Sequence, residues 1–126
     1  MNMILAIASG GAIGAVLRHF FGVLALHLGG SHFPWGTLGV NIIGSFLMGV
    51  LVALFALHWN PPQEIRAFLT VGMLGAFTTF STFSLDVMTL WERGDVMTTA
   101  AYITASVTLS IAALFTGMMI MRQVFA

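Results

Sequence analysis

The chain has 126 residues, of which 59% are hydrophobic and only 6% charged, and its four basic and four acidic side chains give a formal net charge of zero. An average soluble domain carries roughly a quarter charged residues, so no solvated surface can be built from this composition, and the balanced charge gives no reason to expect nucleic acid as a partner. Cysteine is absent, which excludes a disulfide framework, thiolate chemistry and any Cys-ligated metal site.

Four apolar stretches, at about 3–28, 33–57, 65–90 and 96–121, each reach the ~20 residues needed to cross a bilayer. Irregular backbone cannot face lipid, and there is no period-2 alternation, so the stretches are expected to be helices and not strands of a barrel. The expected fold is all-α: a single polytopic domain over residues 1–126 with four transmembrane helices joined by short connectors. The first stretch is not read as a secretory signal, because it lacks a basic leading region, is too long and has nothing soluble after it.

In the first span, Gly10, Gly14, Arg18 and Gly22 recur every four residues and share one face, where small residues let a second backbone approach. That face fits either packing within one subunit or a dimer contact. Arg18 is the only charged residue well inside the span; it either snorkels to the interface or favours an anion over a cation. Gly29-Gly30-Ser31 ends the span, and Asn60-Pro61-Pro62 separates the second from the third. Trp35, Trp59 and Trp91 fall near span ends, where interfacial aromatics belong.

Polar residues inside spans are costly unless they pair or line a wet route. The second span carries Thr37, Asn41, Ser45 and Gly49 at four-residue spacing, and the fourth carries Tyr102, Ser106 and Ser110 in the same way. The two stripes read either as an aqueous or ion-conducting track, or as hydroxyls bonding back to their own helices with Asn41 holding helices together. The third span holds Gly72 and Gly75, five hydroxyl residues between 78 and 84, and Phe77, Phe80 and Phe83. Glycine and β-branched residues weaken a helix, so this span is expected to break near mid-membrane. Freed carbonyls there suit a small cation, hydroxyls suit an anion, and phenylalanine ring edges are electropositive, although an aromatic stripe is more often simple packing.

Enzymatic readings fail. Of the four carboxylates, Glu64, Glu92 and Asp95 sit in connectors and Asp86 lies toward the end of the third span, while His19, His27, His32 and His58 lack metal-ligand spacing. With four spans both termini share one side, and the arginines divide two against two, Arg66 and Arg122 against Arg18 and Arg93. Without a charge bias the chain is free to insert both ways round, and a dual-topology, antiparallel homodimer is expected.

The strings Gly-Thr-Leu-Gly-Val-Asn-Ile-Ile-Gly-Ser at 36–45 and Gly-Ala-Phe-Thr-Thr-Phe-Ser-Thr-Phe-Ser at 75–84, with the Gly10 to Arg18 pattern and the fourth-span stripe, resemble the Fluc (CrcB) family of small bacterial fluoride channels over essentially the whole chain. The resemblance implies a fluoride-selective channel, not an enzyme, in the bacterial inner membrane. It also implies an antiparallel dual-topology homodimer, in contact with membrane lipid, with two pores each built from both subunits. Phe80 and Phe83 then supply the ring edges that contact fluoride and Asn41 the neighbouring amide. Ser81 and Thr82 are the hydroxyls of the break, and Tyr102, Ser106 and Ser110 the polar track. Gly75 and Thr78 match positions whose backbone carbonyls bind a central structural sodium ion. Passive efflux that lowers cytoplasmic fluoride is the expected activity.

Two other readings compete. A small proton-coupled multidrug exporter would need a membrane-embedded glutamate in the first span, where Arg18 and histidines are the only ionisable groups. An accessory subunit packing by glycine faces leaves the polar stripes unexplained.

Overall fold

A computed structural model describes residues 2–125, so both ends of the expected 1–126 domain lie outside the described residues. Helix α1 runs Asn2–Gly29, α2 Trp35–Leu57, α3 Gln63–Ala67, α4 Gly75–Phe77, α5 Phe80–Glu92 and α6 Val96–Phe125, with a π-helical segment Phe68–Leu74 between α3 and α4. Among the described residues, four stretches are long and apolar enough to cross a membrane: α1, α2, the run Gln63–Glu92, and α6. Among the described residues there is no strand. The ends fall where the local chemistry requires. Gly30 takes φ +75°, open to glycine at no steric cost, and its N–H closes on the Leu26 carbonyl at 2.9 Å. Pro62 precedes the first residue of α3.

Helices in lipid gain nothing from hiding apolar surface from one another, so close van der Waals contact must hold them. Two backbone crossings supply it. A methyl group added at Gly10 would strike the Phe68 carbonyl, one at Gly14 the Met73 carbonyl, and one at Gly72 would lie 2.7 Å from the Ile7 carbonyl. The glycine face of α1 therefore packs on the π-helical segment of its own chain. At the second crossing Gly49 of α2 meets the Leu114 carbonyl and Gly117 of α6 meets the Phe46 carbonyl.

The third span departs most from regular geometry. At its π turn, the Gly75 N–H points to the Thr70 carbonyl five residues back as well as to Gly72. The local sequence favours this: Thr70 Oγ1 takes up the Arg66 carbonyl at 2.7 Å, and such back-bonding loosens a helix. Further along, Thr78 (φ −88°, ψ 161°) and Thr79 (φ −156°, ψ 123°) are extended, a geometry β-branched residues accept readily, and α4 and α5 are thereby separated. Thr79 then caps α5, its hydroxyl accepting from the Thr82 N–H at 3.1 Å.

The buried core is small. Leu38, Phe83, Leu90 and Tyr102 form its centre, with Phe33, Ile42 and Val87 packed against it. Large apolar side chains such as Phe20, Leu47 and Phe115 remain exposed, as the outer surface of a membrane protein requires.

Arg93 donates to the His32 carbonyl at 3.1 Å and ties the first connector to the third at one end of the bundle. Asp95, beside it, caps α6 by accepting from the Thr98 N–H at 3.2 Å. Bonding from Thr98, through its side chain first and its backbone second, holds the Asp95 carboxyl below its ordinary value of 3.8, with smaller help from His32 and Arg93. The folded protein binds this proton less tightly than the unfolded chain, so the cap contributes fully above 3.8 and is lost as pH falls through the lower folded value. The thermal midpoint in detergent is expected to drop across that acid window, and D95N, which caps without titrating, is expected to flatten the drop.

Candidate functional site

The interruption at Thr78–Thr79 is held from two sides. From α2, Asn41 Nδ2 donates to the Thr79 carbonyl at 3.1 Å while its Oδ1 accepts from the Thr79 N–H at 2.8 Å, so one amide satisfies both backbone groups of a residue outside any helix. From α1, Arg18 Nε donates to the Ala76 carbonyl at 3.1 Å and Nη1 lies 3.5 Å from Thr82 Oγ1. Gly44 makes room for the turn, since a methyl group there would collide with Thr78 Cγ2. The snorkelling alternative for Arg18 thus gives way to a contact inside the chain.

These diversions have a direct effect on the carbonyls. In a continuous helix the Thr79 N–H would bond to Gly75 and the Thr82 N–H to Thr78; here they go to Asn41 Oδ1 and Thr79 Oγ1. Gly75 and Thr78 therefore lose their i+4 donors. Two hard oxygens left in this way are the donor type that sodium accepts.

Beside the interruption lies a cavity of about 420 Å3. It is lined by Asn41 and Ser45 from α2, Phe80 and Phe83 from α5, and Ser106 and Ser110 from α6. Phe83 is buried at 9% exposure and Phe80 is 77% exposed, with their rings tilted at 5.5 Å between centroids. The Ser106 and Ser110 hydroxyls are buried and have no protein hydrogen-bond partner. A buried hydroxyl without a partner costs about 1–3 kcal/mol, so two on one wall mark a place where something beyond this chain's own groups supplies the bond.

A second cavity, of about 610 Å3, shares Thr79 of the interruption with the first and is lined by Arg18, Thr37, Thr82, Asp86 and Arg93 among others. Tyr102 lines neither cavity but touches a lining residue of each: it is fully buried, its ring 5.2 Å from that of Phe83 and its hydroxyl donating to Asp86 Oδ2 at 3.0 Å. Of the residues expected from sequence, Asn41, Phe80, Phe83, Ser106 and Ser110 are thus brought together. Thr82 lines the larger cavity, Tyr102 bridges, and Ser81 points to neither, its Oγ lying 3.3 Å from Thr79 Oγ1. Three features were not anticipated: the π turn, the Tyr102–Asp86 bond and the Arg18–Ala76 contact. The cluster Thr70-Val71-Gly72 carried some signal for the first; nothing in spacing pointed to the others.

Fold and site together define a small polytopic membrane protein in which an opened helix adjoins an uncharged cavity lined by phenylalanines and hydroxyl residues. The chain belongs to the CrcB family: residues 5–118 match the family described as CrcB-like protein, Camphor Resistance (CrcB). It is 53% identical over 125 residues to the protein named fluoride-specific ion channel FluC of Agrobacterium fabrum, covering 99% of this chain and all of the relative. It is 53% identical over 126 residues to the FluC of Rhodospirillum centenum, with both chains fully covered. Identity to the FluC of Rhizobium etli is 52% over 122 residues, or 97% of this chain and 98% of the relative. With its four spans, the protein is a multi-pass protein of the bacterial inner membrane.

Proposed function

We propose that this protein is a fluoride-selective channel, not an enzyme, through which fluoride leaves the cytoplasm passively, and that it works as an antiparallel homodimer with two pores. The observation that carries the reading is the pair of buried, unpartnered hydroxyls, Ser106 and Ser110, facing Phe80 and Phe83 across one cavity. The relatives named fluoride-specific ion channels support the choice of ion.

Fluoride is small and strongly hydrated, so its water must be replaced by several close donors. The serine hydroxyls can donate, the ring edges are electropositive, and Asn41 has a second N–H beyond the one given to Thr79. None of the cavity's lining residues is charged. An ion held only by neutral groups can leave again, which conduction demands. Arg18 and Arg93 lie in the neighbouring larger cavity, where they favour the entry of an anion without gripping it in the narrow part.

The exposure of Phe80 supports the dimer, because one chain leaves this wall of its cavity open and a second copy can close it. The even division of arginines supports insertion in both orientations. We place the Thr78–Thr79 interruption near mid-membrane, where the Gly75 and Thr78 carbonyls of two subunits would hold a structural sodium ion. That ion would neutralise clustered carbonyl dipoles and brace the subunits.

The test is fluoride release from liposomes holding the purified protein, followed by electrode with valinomycin clamping the potential and chloride as parallel control. Fast fluoride release with negligible chloride release is expected. Release of neither ion would remove the channel reading and bring proton-coupled export forward.

A further inference from the structure

The glycines of α1 and the arginine one turn beyond them act on the third span in register. Gly10 meets Phe68, Gly14 meets Met73, and Arg18 meets Ala76, so a single face of α1 tracks the π-helical segment and α4 to the point where the helix stops. The glycine crossings bring the two backbones into contact and so fix where the Arg18 guanidinium arrives. There it finds the Ala76 carbonyl, whose i+4 partner would be the N–H of Phe80, the first residue of α5.

The geometry points to Arg18 as a positioning residue that clasps the interrupted span. It caps the end of α4 through Nε and reaches Thr82 in the first turn of α5 through Nη1, bridging both halves, while Asn41 secures Thr79 between them from α2. A cation at a helix C-terminus is favoured by the carbonyls gathered there. The planar guanidinium can serve two acceptors in fixed directions, which a lysine ammonium on its flexible stem does less well. Through this clasp Arg18 sets the direction of the Gly75 and Thr78 carbonyls and the position of Phe80, without itself contacting the ion in the smaller cavity. The effect on transport rests on the channel reading; the clasp itself does not.

Hydrogen exchange measured by mass spectrometry on the purified protein in detergent reports the clasp without any ion. In R18Q, peptides covering 75–85 are expected to exchange about tenfold faster, the change that losing a charge-assisted hydrogen bond implies, with α6 unaffected. R18K is expected to recover part of the protection, and T82V to produce a smaller increase. Fluoride release from liposomes should fall in the same order, wild type above R18K above R18Q. Unchanged exchange with reduced release would overturn the proposal and make Arg18 a charge acting directly on the anion. Faster exchange in all four spans, in R18K as well as R18Q, would also overturn it, by reducing the role to general stability. No release from the wild type would defeat the channel reading, and the exchange data would still decide the clasp.

Discussion

Replacing Phe80 or Phe83 with isoleucine is expected to reduce fluoride release to that of protein-free liposomes, with the oligomeric state on size exclusion unchanged. Isoleucine keeps much of the apolar volume but has no electropositive edge, so the substitution separates packing from ion contact. The two positions should differ in stability. Phe83 is buried against Tyr102, and a loss of about 1 kcal/mol is reasonable for an imperfect apolar swap in a core. Phe80 is exposed in the single chain and should cost less. Unchanged release in both variants would remove the rings from the mechanism and leave the hydroxyl wall alone.

The second large effect is expected at Asn41. Asn41→Leu removes both bonds to Thr79 and leaves its N–H and C=O without partners inside the bundle. At ~1–3 kcal/mol per orphaned group the loss is about 2–6 kcal/mol, a sharp fall in thermal midpoint in detergent. Asn41→Asp keeps an acceptor for the Thr79 N–H but loses the donor and places a carboxylate in the span. It should be less destabilised than the leucine variant yet equally poor in fluoride release, because an anionic wall repels the ion. Equal stability of wild type and Asn41→Leu would show that the interruption does not depend on this amide.

How far the sequence could be read follows from what each feature depends on. The four spans need only length and hydropathy, and their ends lie within a few residues of the expected ones; α6 continues to Phe125 where the pattern suggested 121. The stripes holding Asn41 and Ser45 and holding Ser106 and Ser110 were legible because four-residue spacing puts polar groups on one helix face whatever the tertiary fold; that Phe80 and Phe83 join them at one cavity was legible only through the family resemblance, since spacing within a helix does not say which helices meet. The partner of the Gly10–Gly14 face was not legible, since a small-residue face fits another helix of the same chain or of a second copy equally well. The Tyr102–Asp86 bond and the Arg18–Ala76 contact join residues 16 and 58 positions apart, and no local periodicity records them.

The π-helical segment Phe68–Leu74 amounts to one residue more than an α-helical path over the same rise would need. Each residue turns an α-helix by about 100°, so the surplus works as a rotational offset between the two halves of the span. Gly72 can face α1 while Thr78 settles against Gly44 of α2. A lineage that lost one residue here would keep its hydropathy and nearly all of its length and sequence. It would nevertheless turn the Thr78 carbonyl and the Phe80 ring away from their present neighbours, so single-residue indels in this stretch should be far less tolerated than substitutions.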